Sequence, residues 1–370
     1  MRVQLRDWFF GLFGRDARTA EGRPRGRGEA THVIILDGTM SSLKPGFETN
    51  AGTTLKLLQE AGQQANLSVY YEAGIQWRDW SGTWGVMTGK GINRQIERAY
   101  GVLASRYKPG DRIILIGYSR GAYAVRSLAG VIERVGLVKA EHATVRAITN
   151  AYRHYRAGAT GPAAERFREL YCYPDVKIEA VAVWDTVKAL GLRLPIVWRW
   201  AQSTHQFHNH ALGDHVRNGF HALALDETRE AYAPVLWERP SNWTGTMEQV
   251  WFRGSHGDIG GQVGEQRNAR PLANVPLVWI LSKLEACNLP LPLDWKDRFP
   301  QDANAPSVGT WSGWSKIFWS RRRRIVGRDP SETLHETVNP AGYKKSFVAK
   351  FAEKLGTISV SRKRHNQASS

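Results

Sequence analysis

At 370 residues, 42% of them hydrophobic and 15 of them tryptophan, the chain has the apolar content of a protein with a substantial core, which excludes disorder throughout. Its net charge of +17 sits mainly at the two ends: residues 1–30 hold seven arginines against four acids, and residues 311–370 hold thirteen Lys/Arg against four acids. The basicity therefore does not belong to a nucleic-acid-binding core, Cys172 and Cys287 are too few for a disulfide framework, and no stretch approaches the roughly 20 apolar residues of a membrane span.

The first segment, "MRVQLRDWFFGLFGR", spaces Leu5, Trp8, Phe9 and Leu12 as one helical face with Arg2, Arg6 and Arg15 elsewhere. Such a helix suits a membrane interface, and it equally suits docking on the domain that follows. "EGRPRGRGEA" reads as a basic linker, so residues 1–30 form a separate segment and a main domain spans 31–310. Within that domain, "HVIILDG" (32–38), "LSVYYEAG" (67–74), "RIILIGYS" (112–119), "KIEAVAVWDTV" (177–187) and "EQVWFRGSH" (248–256) read as strands. Helical stretches separate them, marked by Ile92, Ile96, Ala99, Tyr100 and Leu103, and then by Ala122, Val125, Ala129 and Ile132 before Gly136. Apolar strands alternating with helices predict an α/β fold with a mostly parallel central sheet flanked by helices.

Two aromatic insertions interrupt this alternation. "WRDWSGTWGVMTGKG" (77–91) is rich in glycine but lacks the spacing of a phosphate-binding loop. The second insertion, residues 190–216, contains "LPIVWRWAQSTHQFHNHALGDH". In a parallel sheet both would wall or lid the carboxyl ends of the strands. Its histidines, His205, His208 and His210, have no partnered carboxylate pattern and predict no metal site. "FHALALDETR" carries His221 at helical spacing, as a packing or supporting residue.

Gly117, Tyr118, Ser119, Arg120 and Gly121 match G-x-S-x-G between a buried strand and a helix. This is the context of a nucleophile elbow, in which small flanking residues permit a sharp turn that exposes the serine. A serine hydroxyl needs a base and an orienting acid, and on such a sheet they follow in the order acid, then histidine. Asp185 in "WDTV" and His256 in "GSHGDIGG" stand where strands end. Asp258 is expected to order the His256 loop. An oxyanion site needs two aimed N–H groups: the amide of Arg120 is one, and Gly38 or Thr39 of "LDGTM" is the other, with Asp37 bracing that turn. The Arg120 side chain is expected to pair with a structural acid. The chemistry requires no metal and no organic cofactor.

The segments "LDGT", "YYEAG", "GINRQIERAY", "YKPGDRIILIGYSRGAYAVRSLAG", "VAVWDTV", "HALALDETR" and "WFRGSHGDIGG" together resemble the α/β-hydrolase domain found in type VI secretion phospholipase effectors. The resemblance spans about residues 34–261. It implies an α/β-hydrolase fold, puts the nucleophile, acid and base roles on Ser119, Asp185 and His256, and suggests ester hydrolysis on lipids, including phospholipase A activity. The chain departs from the family at Met40, where a tryptophan usually stands, and lacks the extensive extra region of the larger effectors.

Beyond residue 310, "WSGWSKIFWSRRRR" sets Trp311, Trp314, Phe318 and Trp319 beside four arginines. This basic aromatic region, 311–370, suits an anionic membrane surface, or is a solvated charge run. The expectation is therefore a serine hydrolase of lipid acyl esters, with no nucleic-acid partner. The alternative is a non-catalytic, membrane-associated protein of the same fold. Cysteine usage and the lack of an evident cleaved signal predict a chain made in the cytoplasm, with peripheral membrane association and signal-independent export left open.

Overall fold

The computed structural model describes residues 17–21, 28–62, 66–74, 90–187, 212–240, 243–311 and 320–339. Its strands are β1 (Ala17–Glu21), β2 (Thr31–Leu36), β3 (Leu67–Glu72), β4 (Arg112–Tyr118), β5 (Ile178–Trp184), β6 (Val216–Ala224), β7 (Thr246–Phe252) and β8 (Glu332–Leu334). They form one sheet in the order β1-β3-β2-β4-β5-β6-β7-β8. β2 to β8 are parallel throughout, and only β1 pairs antiparallel, on β3.

Side-chain alternation explains why the central strands read as unbroken apolar runs. In β2, Ile34 and Leu36 join one buried cluster while Val33 and Ile35 join another. In β4, Ile113 and Leu115 oppose Ile114 and Ile116 in the same way. A parallel sheet covered on both faces needs apolar residues at every position. The first face is covered by α2 (Lys90–Arg106), α3 (Arg120–Val135), α4 (Val145–Arg156) and α5 (Pro162–Tyr171), through Ile96, Val125, Leu128, Ile148 and Phe167. The second is covered by α1 (Asn50–Ala61) and α7 (Arg270–Ala286), through Leu55, Leu58, Ile280 and Leu281. A short helix, α6 (His256–Gly260), follows β7. Each fully buried Leu or Ile contributes about 1.5–3 kcal/mol, and the two clusters hold the sheet between its helical layers.

Three elements correct the sequence expectations. β6 stands where helical spacing was read around His221: Phe220, Ala222 and Ala224 join one cluster and Leu223 packs with Leu225 and Trp251 in another. A run buried on both faces carries no period to tell strand from helix. β1 lies inside the N-terminal segment, where the polar "ARTAE" shows no apolar alternation and only the backbone register marks it as an edge strand. β8 lies past residue 310, so that position does not divide core from tail. Buried Glu332 fixes this segment by accepting from Trp251 Nε1 (2.8 Å) and from the amides of Gly327 (3.0 Å), Arg328 (2.6 Å) and Asp329 (2.7 Å).

The expected amphipathic helix of residues 1–15, residues 75–89 of the first aromatic loop, residues 188–211 of the second insertion, the aromatics of 312–319 and residues 340–370 lie outside the described residues. Both cysteines are free and buried.

Candidate active site

Ser119 sits between β4 and α3 with φ 58° and ψ −120°, a backbone conformation that a residue with a Cβ adopts only under strain. Close packing imposes it. A Cβ on Gly117 would lie 2.6 Å from the Ala122 Cα, and one on Gly121 would lie 2.0 Å from the Leu36 carbonyl oxygen. The Ser119 amide donates to the Trp184 carbonyl (3.0 Å), tying the turn to the end of β5.

Asp185 is the first residue past β5 and is wholly buried, also at positive φ (39°). Its amide donates to the Ala222 carbonyl (2.8 Å), and its Oδ1 accepts from the Ala224 amide (3.0 Å). His256 begins α6 just past β7. Its Nδ1–H donates to Asp185 Oδ2 (2.6 Å), and its Nε2 accepts from the Ser119 hydroxyl (2.9 Å). Three parallel strands thus deliver a serine, a carboxylate and an imidazole to one edge of the sheet, in mutual hydrogen-bond contact.

The surroundings hold the imidazole. Tyr118 stacks on it with ring centroids 4.9 Å apart, and the Tyr232 ring lies 4.7 Å away. Glu227 Oε2 accepts from the His256 amide (3.1 Å) and is paired with Arg229 (2.6 Å). Asp258 does not face the imidazole. It accepts from the Ser255 amide (2.7 Å) and hydroxyl (2.8 Å), and also from the Ser307 hydroxyl (2.5 Å) and the Val308 amide (2.9 Å). It therefore fastens the turn before α6 to the 307–308 loop. Burial lowers the His256 pKa from its usual value, against the opposing hydrogen bond and charge of Asp185. Burial alone would raise the Asp185 carboxyl, but Arg324 and His256 outweigh it and hold it well below the usual carboxylate range.

The loop after β2 separates two expected donors. The Gly38 amide donates to Asp37 Oδ1 (2.7 Å), so this N–H is already engaged. Thr39 remains the alternative, and its carbonyl and that of Met40 each accept from Gln262 Nε2 (3.1 Å), which ties this loop to the end of α6. Asp37 also accepts from Thr49 Oγ1 (2.6 Å) and Tyr71 OH (2.7 Å). Burial pushes it up to about 6 although these bonds oppose the rise. Arg120 opens α3 and its amide follows Ser119 directly. No carboxylate among the described residues pairs with its side chain, contrary to expectation, and burial lowers its pKa.

Sequence reasoning missed Glu227, Arg229, Gln262 and Arg324. Arg324 donates to both Asp185 oxygens, Nη1 to Oδ1 (2.5 Å) and Nη2 to Oδ2 (2.8 Å), and is itself buried. One of four consecutive arginines, it carries no local signal that sets it apart.

Residues 31–283 match the family described as "T6SS, Phospholipase effector Tle1-like, catalytic domain". The chain is similar to the "Uncharacterized protein YEL023C" of Saccharomyces cerevisiae, at 27% identity over 254 residues, covering 60% of this chain and 36% of that protein. Among solved structures it is similar to "Structure of the Tle1 effector bound to the VgrG spike from the Type 6 secretion system", at 18% identity and a TM-score of 0.32. That likeness covers 66% of this chain and 54% of the other. The chain thus spans 36% of the curated relative's length and 54% of the solved effector's.

Proposed function

Because the chain belongs to the type VI secretion Tle1-like phospholipase effector catalytic-domain family, we propose that it is a serine hydrolase of carboxylic esters acting on lipid acyl chains, in the manner of a phospholipase A or lipase. The observation that carries this reading is the continuous hydrogen-bond chain from Ser119 through His256 to Asp185, built on a strained elbow. Ser119 Oγ attacks the acyl carbonyl as its proton passes to His256 Nε2. Asp185 keeps the Nδ1–H tautomer in place. The amides of Arg120 and Thr39 stabilise the oxyanion, and Asp37 and Asp258 brace the two loops around them. His256 then protonates the departing alcohol and takes a proton from the water that releases the acyl group.

A fluorophosphonate probe tests this directly. Wild type should be labelled and Ser119→Ala should not. A folded wild type that resists labelling would instead support a non-catalytic, membrane-associated protein of this fold.

We further propose that the substrate-bearing surface is anionic. A cavity of about 320 Å³ is lined by Arg322, Arg323 and Arg328 together with Arg229 and Arg324, against a single carboxylate, Glu230. Arg322, Arg323 and Arg328 are exposed. Each exposed arginine at an anionic lipid surface is worth about 1 kcal/mol. Replacing the three by Gln should therefore weaken co-sedimentation with phosphatidylglycerol vesicles about 100-fold at low salt, and less at high salt. Equal sedimentation of variant and wild type would remove this surface from the proposal.

A further inference from the structure

Asp185 is saturated. Its Oδ1 accepts from the Ala224 amide (3.0 Å) and Arg324 Nη1 (2.5 Å), and its Oδ2 from His256 Nδ1 (2.6 Å) and Arg324 Nη2 (2.8 Å). A carboxylate offers about four acceptor sites, so rotating this one would break several bonds at once. The Arg324 fork is fixed in turn by two main-chain carbonyls, with Nη1 donating to Ala224 (2.9 Å) and Nη2 to Tyr232 (2.6 Å). Its segment is anchored on both sides: the Arg322 amide donates to the Thr228 carbonyl (2.7 Å), Arg229 and Arg321 form an antiparallel bridge, and β8 extends the sheet beside β7. Residue 324 lies outside the matched family segment, which ends at residue 283.

We infer that Arg324 is a positioning residue of the Ser119–His256–Asp185 constellation, supplied from beyond the family domain, which fixes the plane of the Asp185 carboxylate and keeps it ionised. The inference rests on the hydrolase reading. Its physical basis is that a buried carboxylate without a counter-charge takes up a proton rather than remain charged, and a protonated acid no longer holds the Nδ1–H tautomer of its histidine. A guanidinium is suited to the task because it is planar, always charged, and spans both oxygens at once. The remaining groups facing His256 are the Glu227–Arg229 pair, Tyr118 and Tyr232. Near Asp185 stands the buried, neutral His221. None of them bridges the two Asp185 oxygens.

The test uses the full chain carrying Arg324→Gln or Arg324→Lys, assayed with a soluble short-chain acyl ester. Arg324→Gln should lower kcat about 10- to 100-fold with little change in KM, the effect of a misaligned base. Its acidic limb should also move to higher pH, because loss of the cation favours both the imidazolium and the protonated acid. Arg324→Lys keeps the charge but cannot span both oxygens, so it should restore the acidic limb and recover only part of kcat. A folded Arg324→Gln protein with wild-type kcat and an unmoved limb would overturn the inference. If Arg324→Gln does not fold, Arg324→Lys decides: reduced kcat with a wild-type limb supports the fork, and wild-type kcat dismisses it. The His256 Nδ1 proton in NMR spectra of Ser119→Ala protein gives a readout that needs no turnover. Its resonance should shift or broaden on adding Arg324→Gln and stay put if Arg324 has no part. Absence of ester hydrolysis by wild type would count against the hydrolase reading alone, leaving that resonance to judge Arg324.

Discussion

Two buried imidazoles stand close to the end of β5, and their surroundings differ in charge. The Nε2 of His256 accepts from the Ser119 hydroxyl (2.9 Å), and the Nε2 of His221 accepts from the Thr186 amide (3.1 Å). His256 has the Asp185 carboxylate on its other nitrogen. His221 lies against Trp237, on whose ring the Arg126 guanidinium rests at 4.8 Å, and burial with that cation pushes it down to about 3. Burial lowers both pKa values; at His256 the hydrogen bond and charge of Asp185 oppose the fall, whereas at His221 the Arg126 charge adds to it. At nearly equal burial, the two imidazoles differ in the charge that acts most on each, a carboxylate at His256 and a guanidinium at His221.

The widest separation should appear in turnover. His256→Ala should cost roughly 10⁵- to 10⁶-fold in kcat on a soluble ester, the scale on which members of such a unit fail. His221→Ala should stay within about tenfold and lose instead about 1–3 kcal/mol of stability in urea unfolding, since the Thr186 amide is left buried without an acceptor. Similar losses of turnover in both variants would erase the distinction.

A smaller effect concerns stability against pH. The folded pKa of each histidine lies below the ordinary 6.5. As pH falls below that value the unfolded chain therefore binds protons that the folded chain refuses, and stability drops. For His221 the loss should continue to about pH 3, at up to about 1.4 kcal/mol per pH unit. Melting curves of His221→Gln should be flatter over that interval, and identical slopes would show that His221 is not the group responsible. The smallest effect is the titration of His221 in Arg126→Met. Removing the cation should raise its pKa, seen as an earlier onset of protonation in NMR, and no movement would leave burial as the sole cause.

The parallel sheet and its flanking helices were legible because β2, β4 and β5 are short apolar runs bounded by turn residues, and because α2 and α3 show clear three-and-four spacing. Ser119 was legible as an elbow from its setting between strand and helix, and Asp185 and His256 as residues just past strands. The structure puts all three in contact. β6 was hidden by its own burial, since Phe220 to Ala224 are all buried and leave no exposed face to set a period. That the Gly38 amide is already engaged by Asp37 is something composition cannot reveal. Arg324 was hidden by its neighbours: among four consecutive arginines, burial of one goes with the docking of β8 on β7 and with the contacts to Thr228 and Glu230, segments distant in the chain.

The pairing of Asp185 with Arg324 also has a dimension in time. The two residues are 139 positions apart. A ribosome adding about 5–20 residues per second delivers the arginine on the order of 7–30 s after the aspartate. Through that interval a nascent chain holds the serine-bearing turn and the acid while the acid's cation is still unmade. On the proposed role of Arg324, a stalled chain ending between the two positions lacks the cation that fixes its acid, however well its earlier strands have folded.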